Sequence, residues 1–177
     1  LGGGVKDCLQ LAKPRIAAMV ALTTWLGWVL AGGRATPALF ALLLGVTLAS
    51  AACGALNQYW ERVEDGLMRR TRNRPLPTGR IAPRRALILG LVLAAAGPAL
   101  VLPAAGTLPA GLTLGTILLY VLAYTPLKKV TPQTTWIGAA AGAASPLIGW
   151  VAAGGPLDAR AFVLFSIQFL WQIPHFL

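Results

Sequence analysis

The chain has 177 residues, is 56% hydrophobic and only 11% charged, and carries a formal net charge of +10. A soluble domain has about 25% charged residues, and the apolar residues here lie in runs near the roughly 20 that cross a bilayer, which excludes an ordinary water-soluble fold. The two cysteines, Cys8 and Cys53, have neither disulfide-framework nor metal-ligand spacing and read as small apolar side chains.

Six apolar stretches follow one another along the chain, at about 14–33, 37–60, 86–106, 108–127, 134–155 and from 161 to the last residue. Lipid offers backbone amides no partner, so each stretch must be a helix that satisfies its own hydrogen bonds. Prolines 98, 103, 126, 146 and 174 lie within or at the ends of these runs. Each removes a backbone donor and kinks its helix, which membrane helices tolerate. The expected fold is all-α: a polytopic transmembrane bundle forming one partial domain over 1–177. The first run is too long for a signal peptide and is followed by further spans. The chain starts at Leu1 and stops at Leu177 in mid-run, so a longer parent protein is expected.

The charges assign sides. Lys6, Lys13 and Arg15 precede the first run. Arg62, Arg69, Arg70, Arg72, Arg74, Arg80, Arg84 and Arg85 lie between the second and third, and Lys128 and Lys129 between the fourth and fifth. That places 13 of the 15 cationic residues on one side, with only Arg34 and Arg160 opposite. Cytoplasmic loops carry such an excess, so the N-terminus is expected in the cytoplasm. A nucleic-acid partner, the other common meaning of a basic chain, is excluded because its charge would have to work beside six spans. The fifth run is crowded with small residues, with Gly138 and Gly142 four apart, which suits close helix–helix packing.

Candidate chemistry begins at the end of the second run. Asn57, Glu61 and Asp65 recur at intervals of four. On a helix, each such step advances about 40°, so the three oxygen-bearing side chains share a face. Such a face suits a hard cation, and Mg²⁺ favours one or two carboxylates together with waters and phosphate oxygens. Arg69, Arg70, Arg72 and Arg74 follow directly, and guanidinium groups match phosphate oxygens. A metal-bound diphosphate is one reading, and a solvated juxtamembrane loop with surface ion pairs is the other. Asn57 favours the first, because an amide in the apolar end of a span is costly unless used.

The segment NQYWERVEDGLMRRTRNRPLPTGRI from Asn57 resembles the first acidic motif of the UbiA-type intramembrane prenyltransferases. The match runs through Asn57, Glu61, Asp65, Met68, Arg70, Thr71, Arg74, Pro75 and Gly79. Lys13-Pro14-Arg15-Ile16, the stretch from Tyr124 to Lys128 with Thr131, the stretch from Gly142 to Trp150, and Trp171-Gln172-Ile173-Pro174-His175-Phe176 resemble further family segments in order. The last of these points to the branch that farnesylates heme. Other members commonly carry Asp where this chain has Glu61. The family has about nine helices and a second acidic motif after the sixth, beyond Leu177, so this stretch alone is expected to be inactive.

The resemblance implies transfer of a farnesyl group from farnesyl diphosphate to a vinyl group of heme B, with Mg²⁺ as cofactor and the lipid bilayer as setting. It implies that Asn57, Glu61 and Asp65 hold Mg²⁺ and are catalytic. It further implies that Arg70, Arg74, Lys128, Tyr124 and Arg15 bind the diphosphate. His175, the only histidine, is a candidate heme contact, since imidazole commonly ligates heme iron; a structural hydrogen bond is its other reading. Transfer to a quinone-ring or chlorophyll precursor and a membrane transporter are the alternatives. The Ala, Arg and Gly usage leans towards a bacterial plasma membrane.

Overall fold

The computed structural model describes the backbone of residues 4–131 and 133–176 and the side chains of these residues up to 173. Every regular element among them is helical. In order these are α1 (Val5–Ala12), α2 (Pro14–Leu30), α3 (Pro37–Trp60), α4 (Arg62–Leu67), α5 (Pro83–Ala105) and α6 (Thr107–Leu118). A π-helical turn, Leu119–Tyr124, continues α6 into α7 (Thr125–Leu127), and α8 (Thr134–Ala152) and α9 (Ala159–Phe176) follow. Helices α3, α5, the continuous run Thr107–Leu127 and α8 are long and apolar enough to cross a membrane, and α2 and α9 are shorter apolar helices. The six expected stretches are therefore all present. The amphipathic α1, ahead of the first of them, was not expected.

Proline supplies three of the helix starts. Pro14, Pro37 and Pro83 occupy the first turns of α2, α3 and α5, where a missing amide hydrogen costs nothing. The first apolar run stops at Leu30 rather than near 33, and its ending is repeated elsewhere. Gly27-Trp28-Val29-Leu30-Ala31-Gly32-Gly33 matches Gly149-Trp150-Val151-Ala152-Ala153-Gly154-Gly155. In each copy the first glycine of the closing pair adopts a left-handed φ, +83° at Gly32 and +85° at Gly154. Glycine takes this conformation without a steric penalty. The next amide returns to the tryptophan carbonyl, at 3.0 Å in both copies. Each indole then closes its own turn: Trp28 Nε1 donates to the Arg34 carbonyl at 3.0 Å and Trp150 Nε1 to that of Pro156 at 2.8 Å.

The same repeat sets the crossing of α2 and α8. A Cβ at Gly27 would lie 2.0 Å from the Pro146 carbonyl oxygen, and one at Gly149 would lie 1.8 Å from that of Thr24. Backbone meets backbone here, the close approach that small residues permit in membrane bundles. Helices α3 and α5 pack along each other in a similar way, with Gly97 against Gly45 and Gly90 against the Leu56 side chain. Leu42, Val46 and Val101 fill the core beside Trp28 and Ile148. Gly138 receives the Tyr124 ring and Gly142 the Gln172 side chain. Outward faces carry exposed Met19, Leu22 and Leu26 on α2, Ile88, Leu91 and Val92 on α5, and Phe162, Ile167 and Leu170 on α9, as lipid contact requires.

The two ends of the bundle differ. Ala31, Trp150 and Ala161 cluster at one end, where Arg160 lies over the Trp150 ring. The other end gathers α1, the start of α2, the end of α3, the segment 68–82 and α7. That segment is no loose polar loop. Leu76 and Ile81 are buried against Leu11, Ala55 and Ala86, and successive turns close it, including Ile81 amide to Pro75 carbonyl at 3.2 Å.

Candidate active site at the charged rim

Helix α3 ends at Trp60, and the chain bends at Glu61 before α4. The expected face survives the bend because the hydrogen-bond ladder continues through it. The Glu61 amide donates to the Asn57 carbonyl at 3.0 Å and the Asp65 amide to that of Glu61 at 2.7 Å. Asn57, Glu61 and Asp65 are accordingly all buried, at 2%, 6% and 1% exposure, and all line one cavity of about 380 Å³. Gln10, Lys13, Ile16, Gln58, Met68, Arg70, Thr71, Arg74, Tyr120, Tyr124 and Lys128 complete its wall.

Each of the three oxygen-bearing groups faces a cation. Arg74 Nη1 donates to both oxygens of Asp65, at 2.8 and 2.7 Å. Lys128 contacts Glu61, and its ammonium lies 5.6 Å from the centre of the Tyr124 ring. Lys13 Nζ donates to Asn57 Oδ1 at 3.0 Å. The Thr71 hydroxyl donates to the Asp65 carbonyl at 2.9 Å and ties segment 68–82 to α4. Arg70 is exposed at the cavity mouth. Further out, Lys129 pairs with Glu64, which holds that carboxyl below its usual range.

Lys13 is a site residue that sequence reasoning did not assign: it counted as a charge that sets topology and as part of the segment Lys13-Pro14-Arg15-Ile16, without a role in the cavity. Arg15 does not line this cavity. It is exposed beside Lys6, Asp7 and Arg80 in an adjoining groove. The reason lies at the joint between α1 and α2. Lys13 has a left-handed φ of +49°, the only non-glycine in that region among the described residues, and this conformation accompanies a side chain reaching α3. The signal in the sequence was a lysine directly before the proline that opens a helix. Burial first, and then the nearby Arg74 guanidinium, push its ammonium down to about 8.

The joint is locked from α3. Gln58 Nε2 donates to the carbonyls of Leu11 at 3.1 Å and Gln10 at 3.3 Å, the otherwise open end of α1. A Cβ at Gly54 would lie 2.7 Å from the Leu11 oxygen. Arg80 fastens the outer side, bonding Asp7 at 2.9 Å and the Asn73 carbonyl at 2.9 Å. Gln58→Leu is therefore expected to strand the buried Leu11 carbonyl and to cost about 1–3 kcal/mol. Hydrogen exchange is the direct measurement: amides of α1 and those of Ile16 and Ala17, which bond the Lys13 carbonyl, are expected to lose protection while those of α8 keep theirs.

Among the described residues no group of three or more His, Cys, Asp or Glu side chains is placed to hold a metal ion. The available set is two carboxylates and one amide oxygen. His175 lies outside the described side chains. Trp171 is exposed, and Gln172 is buried against Gly142.

These features define an all-α integral membrane protein with a buried, ion-paired cavity at its cation-rich rim. The chain belongs to the UbiA prenyltransferase family, whose sequence pattern it matches over residues 19–177. It is 48% identical over 174 residues to a protoheme IX farnesyltransferase of Myxococcus xanthus, covering 97% of this chain and 58% of that one. To the enzyme of the same name from Anaeromyxobacter sp. it is 45% identical over 177 residues, with the same coverage. It thus spans 58% of the length of these curated relatives. The fold is similar to a solved digeranylgeranylglyceryl phosphate synthase, with a TM-score of 0.84 and 19% identity over 96% of this chain and 60% of that one. A UbiA homolog from Archaeoglobus fulgidus bound to DMAPP and Mg²⁺ gives a TM-score of 0.77 and 18% identity, over 96% and 62%. At such identities the likeness shows the fold alone.

Proposed function

We propose that this chain forms the first acidic part of the site of a heme farnesyltransferase. The observation that carries the reading is the convergence of Asn57, Glu61 and Asp65 with Lys13, Arg70, Arg74 and Lys128 on one cavity. Its volume lies within the range of small-molecule sites, about 300–1,000 Å³. The heme acceptor is supported by the relatives' name and by the resemblance of 171–176 to the heme branch.

Mg²⁺ fits the donor set, because two carboxylates and an amide oxygen are hard oxygen ligands that leave room for phosphate oxygens and water. When bound, it would supply neutralisation of the diphosphate leaving group. The remaining work falls to side chains. Lys13, Arg74 and Lys128 hold the protein's own oxygens and have donors that can turn to phosphate oxygens instead. Arg70 reaches the same volume from the mouth. Burial strengthens these contacts where charge develops on the departing oxygen. The Tyr120 and Tyr124 rings, with centroids 5.0 Å apart, offer π-faces to an allylic cation.

In the reaction, the C1–O bond of farnesyl diphosphate breaks and its electron pair leaves with the diphosphate. The π electrons of a heme vinyl group form a new carbon–carbon bond to C1. Water then adds to the resulting cation and loses a proton, leaving a hydroxyl. On this reading the charged rim faces the cytoplasm of a bacterial plasma membrane, and the greasy substrates enter from lipid.

The test uses a chain of the relatives' full length carrying this segment, reconstituted in vesicles with farnesyl diphosphate, Mg²⁺ and either heme B or 4-hydroxybenzoate. Farnesylated heme is the expected product. Product from the benzoate alone would end the heme assignment and leave transfer to a quinone-ring precursor in its place.

A further inference from the structure

Thr125 is fully buried where the π-helical turn meets α7. Its backbone amide donates to the Tyr120 carbonyl, and its hydroxyl donates to the same oxygen at 2.9 Å. A threonine hydroxyl has one hydrogen, so towards any other atom it can only accept. That other atom is Asn57 Nδ2, at 3.4 Å. Beyond the far side of the amide, the Lys13 ammonium, which can only donate, lies 3.0 Å from Oδ1. Two unrelated neighbours therefore hold the amide the same way round. Exchanging its nitrogen and oxygen would set donor against donor at Lys13, and at Thr125 the hydroxyl would have to give up its bond to the Tyr120 carbonyl to donate to the amide oxygen instead.

We propose that Thr125 is a positioning residue for the cation and diphosphate site, holding Asn57 so that its amide oxygen faces the bound Mg²⁺. The inference rests on the reading of Asn57 as a Mg²⁺ ligand. An amide serves a hard cation only through its oxygen. The terminal torsion of an asparagine is broad and roughly two-fold, so without a partner the nitrogen end competes for the same place. The π turn makes the arrangement possible. Its i→i+5 bonding brings the Thr125 amide and hydroxyl to one carbonyl and leaves the hydroxyl's lone pairs facing α3. Groups that orient metal ligands in this way typically affect metal affinity by 10–100-fold.

The experiment measures binding rather than turnover. Full-length chain in vesicles is titrated with Mg²⁺ while bound, labelled farnesyl thiodiphosphate, a slowly ionising analogue, is counted. Thr125→Val keeps the shape and loses the hydroxyl, and it is expected to raise the Mg²⁺ concentration for half-maximal binding about 10-fold. Thr125→Ser is expected to restore it. In an Asn57→Ala background, Thr125→Val is expected to add nothing, because the residue to be positioned is gone. Full additivity of the two changes, or a serine variant as impaired as the valine one, overturns the proposal and leaves Thr125 a packing residue. If Asn57→Ala alone leaves the Mg²⁺ requirement unchanged, the ligand assignment itself fails and takes the proposal with it. That result is distinct from the other two.

Discussion

Asp65→Asn in the full-length chain is expected to lower Mg²⁺-dependent farnesyl transfer by about 1,000-fold, the scale seen when one preorganised electrostatic group is removed from a site. The side chain is 1% exposed, and both of its oxygens take hydrogen bonds from Arg74. The amide keeps the volume and one acceptor while removing the charge that would draw a divalent cation. Breaking a buried ion pair costs about 3–5 kcal/mol; the Arg74 side chain is 22% exposed, so water recovers part of this and the low end applies. Asp65→Asn is therefore expected to remain folded and inactive. Initial rates over a Mg²⁺ series, read beside the unfolding midpoint in detergent, separate the two effects. A variant that turned over at the parent rate with the parent's Mg²⁺ dependence would remove Asp65 from the site.

Gly149→Ala and Gly27→Ala are expected to be the most damaging substitutions in the apolar part of the bundle. The added methyl would lie 1.8 Å from the Thr24 carbonyl oxygen in one case and 2.0 Å from that of Pro146 in the other. These are backbone atoms of a facing helix, so no rotamer change relieves the clash and α2 must move away from α8. Overpacking usually costs about 1–3 kcal/mol and occasionally more, and with backbone on both sides the upper end or beyond is expected. Gly111 and Gly115 are the controls. A methyl at either meets nothing within 4 Å, and alanine is the better helix former by about 1 kcal/mol. Unfolding midpoints of the four variants in one detergent decide the matter: the first pair is expected to fall far below the parent, the second to equal or exceed it. A parental midpoint for Gly149→Ala would disprove the crossing.

The sequence made the helices legible because lipid leaves the backbone a single solution. Runs such as 37–60 carry no charged residue and are predominantly apolar, and their boundaries fall at Pro37 and at the first charges after Trp60. The grouping of Asn57, Glu61 and Asp65 was legible for the same local reason: a four-residue interval fixes a helix face, and the bend at Glu61 did not break the hydrogen-bond ladder. Arg15 and Lys13 were not separable in this way. Both are cations flanking Pro14, and which one turns inward depends on the left-handed backbone at Lys13, itself held by Gln58 from a helix more than forty residues away.

By itself, then, the order of residues determined an all-helical membrane bundle, the extent of its apolar runs, the rim that carries the positive charge and the face that carries the oxygens. Those properties follow from local periodicity and from the cost of placing polar groups in hydrocarbon. Only the tertiary structure decided which cation meets which oxygen, that Thr125 and Lys13 grip Asn57 from opposite sides, and that α2 and α8 touch backbone to backbone through a repeated glycine. These are contacts between distant segments, and hydropathy does not encode the orientation of one helix about its axis relative to the next.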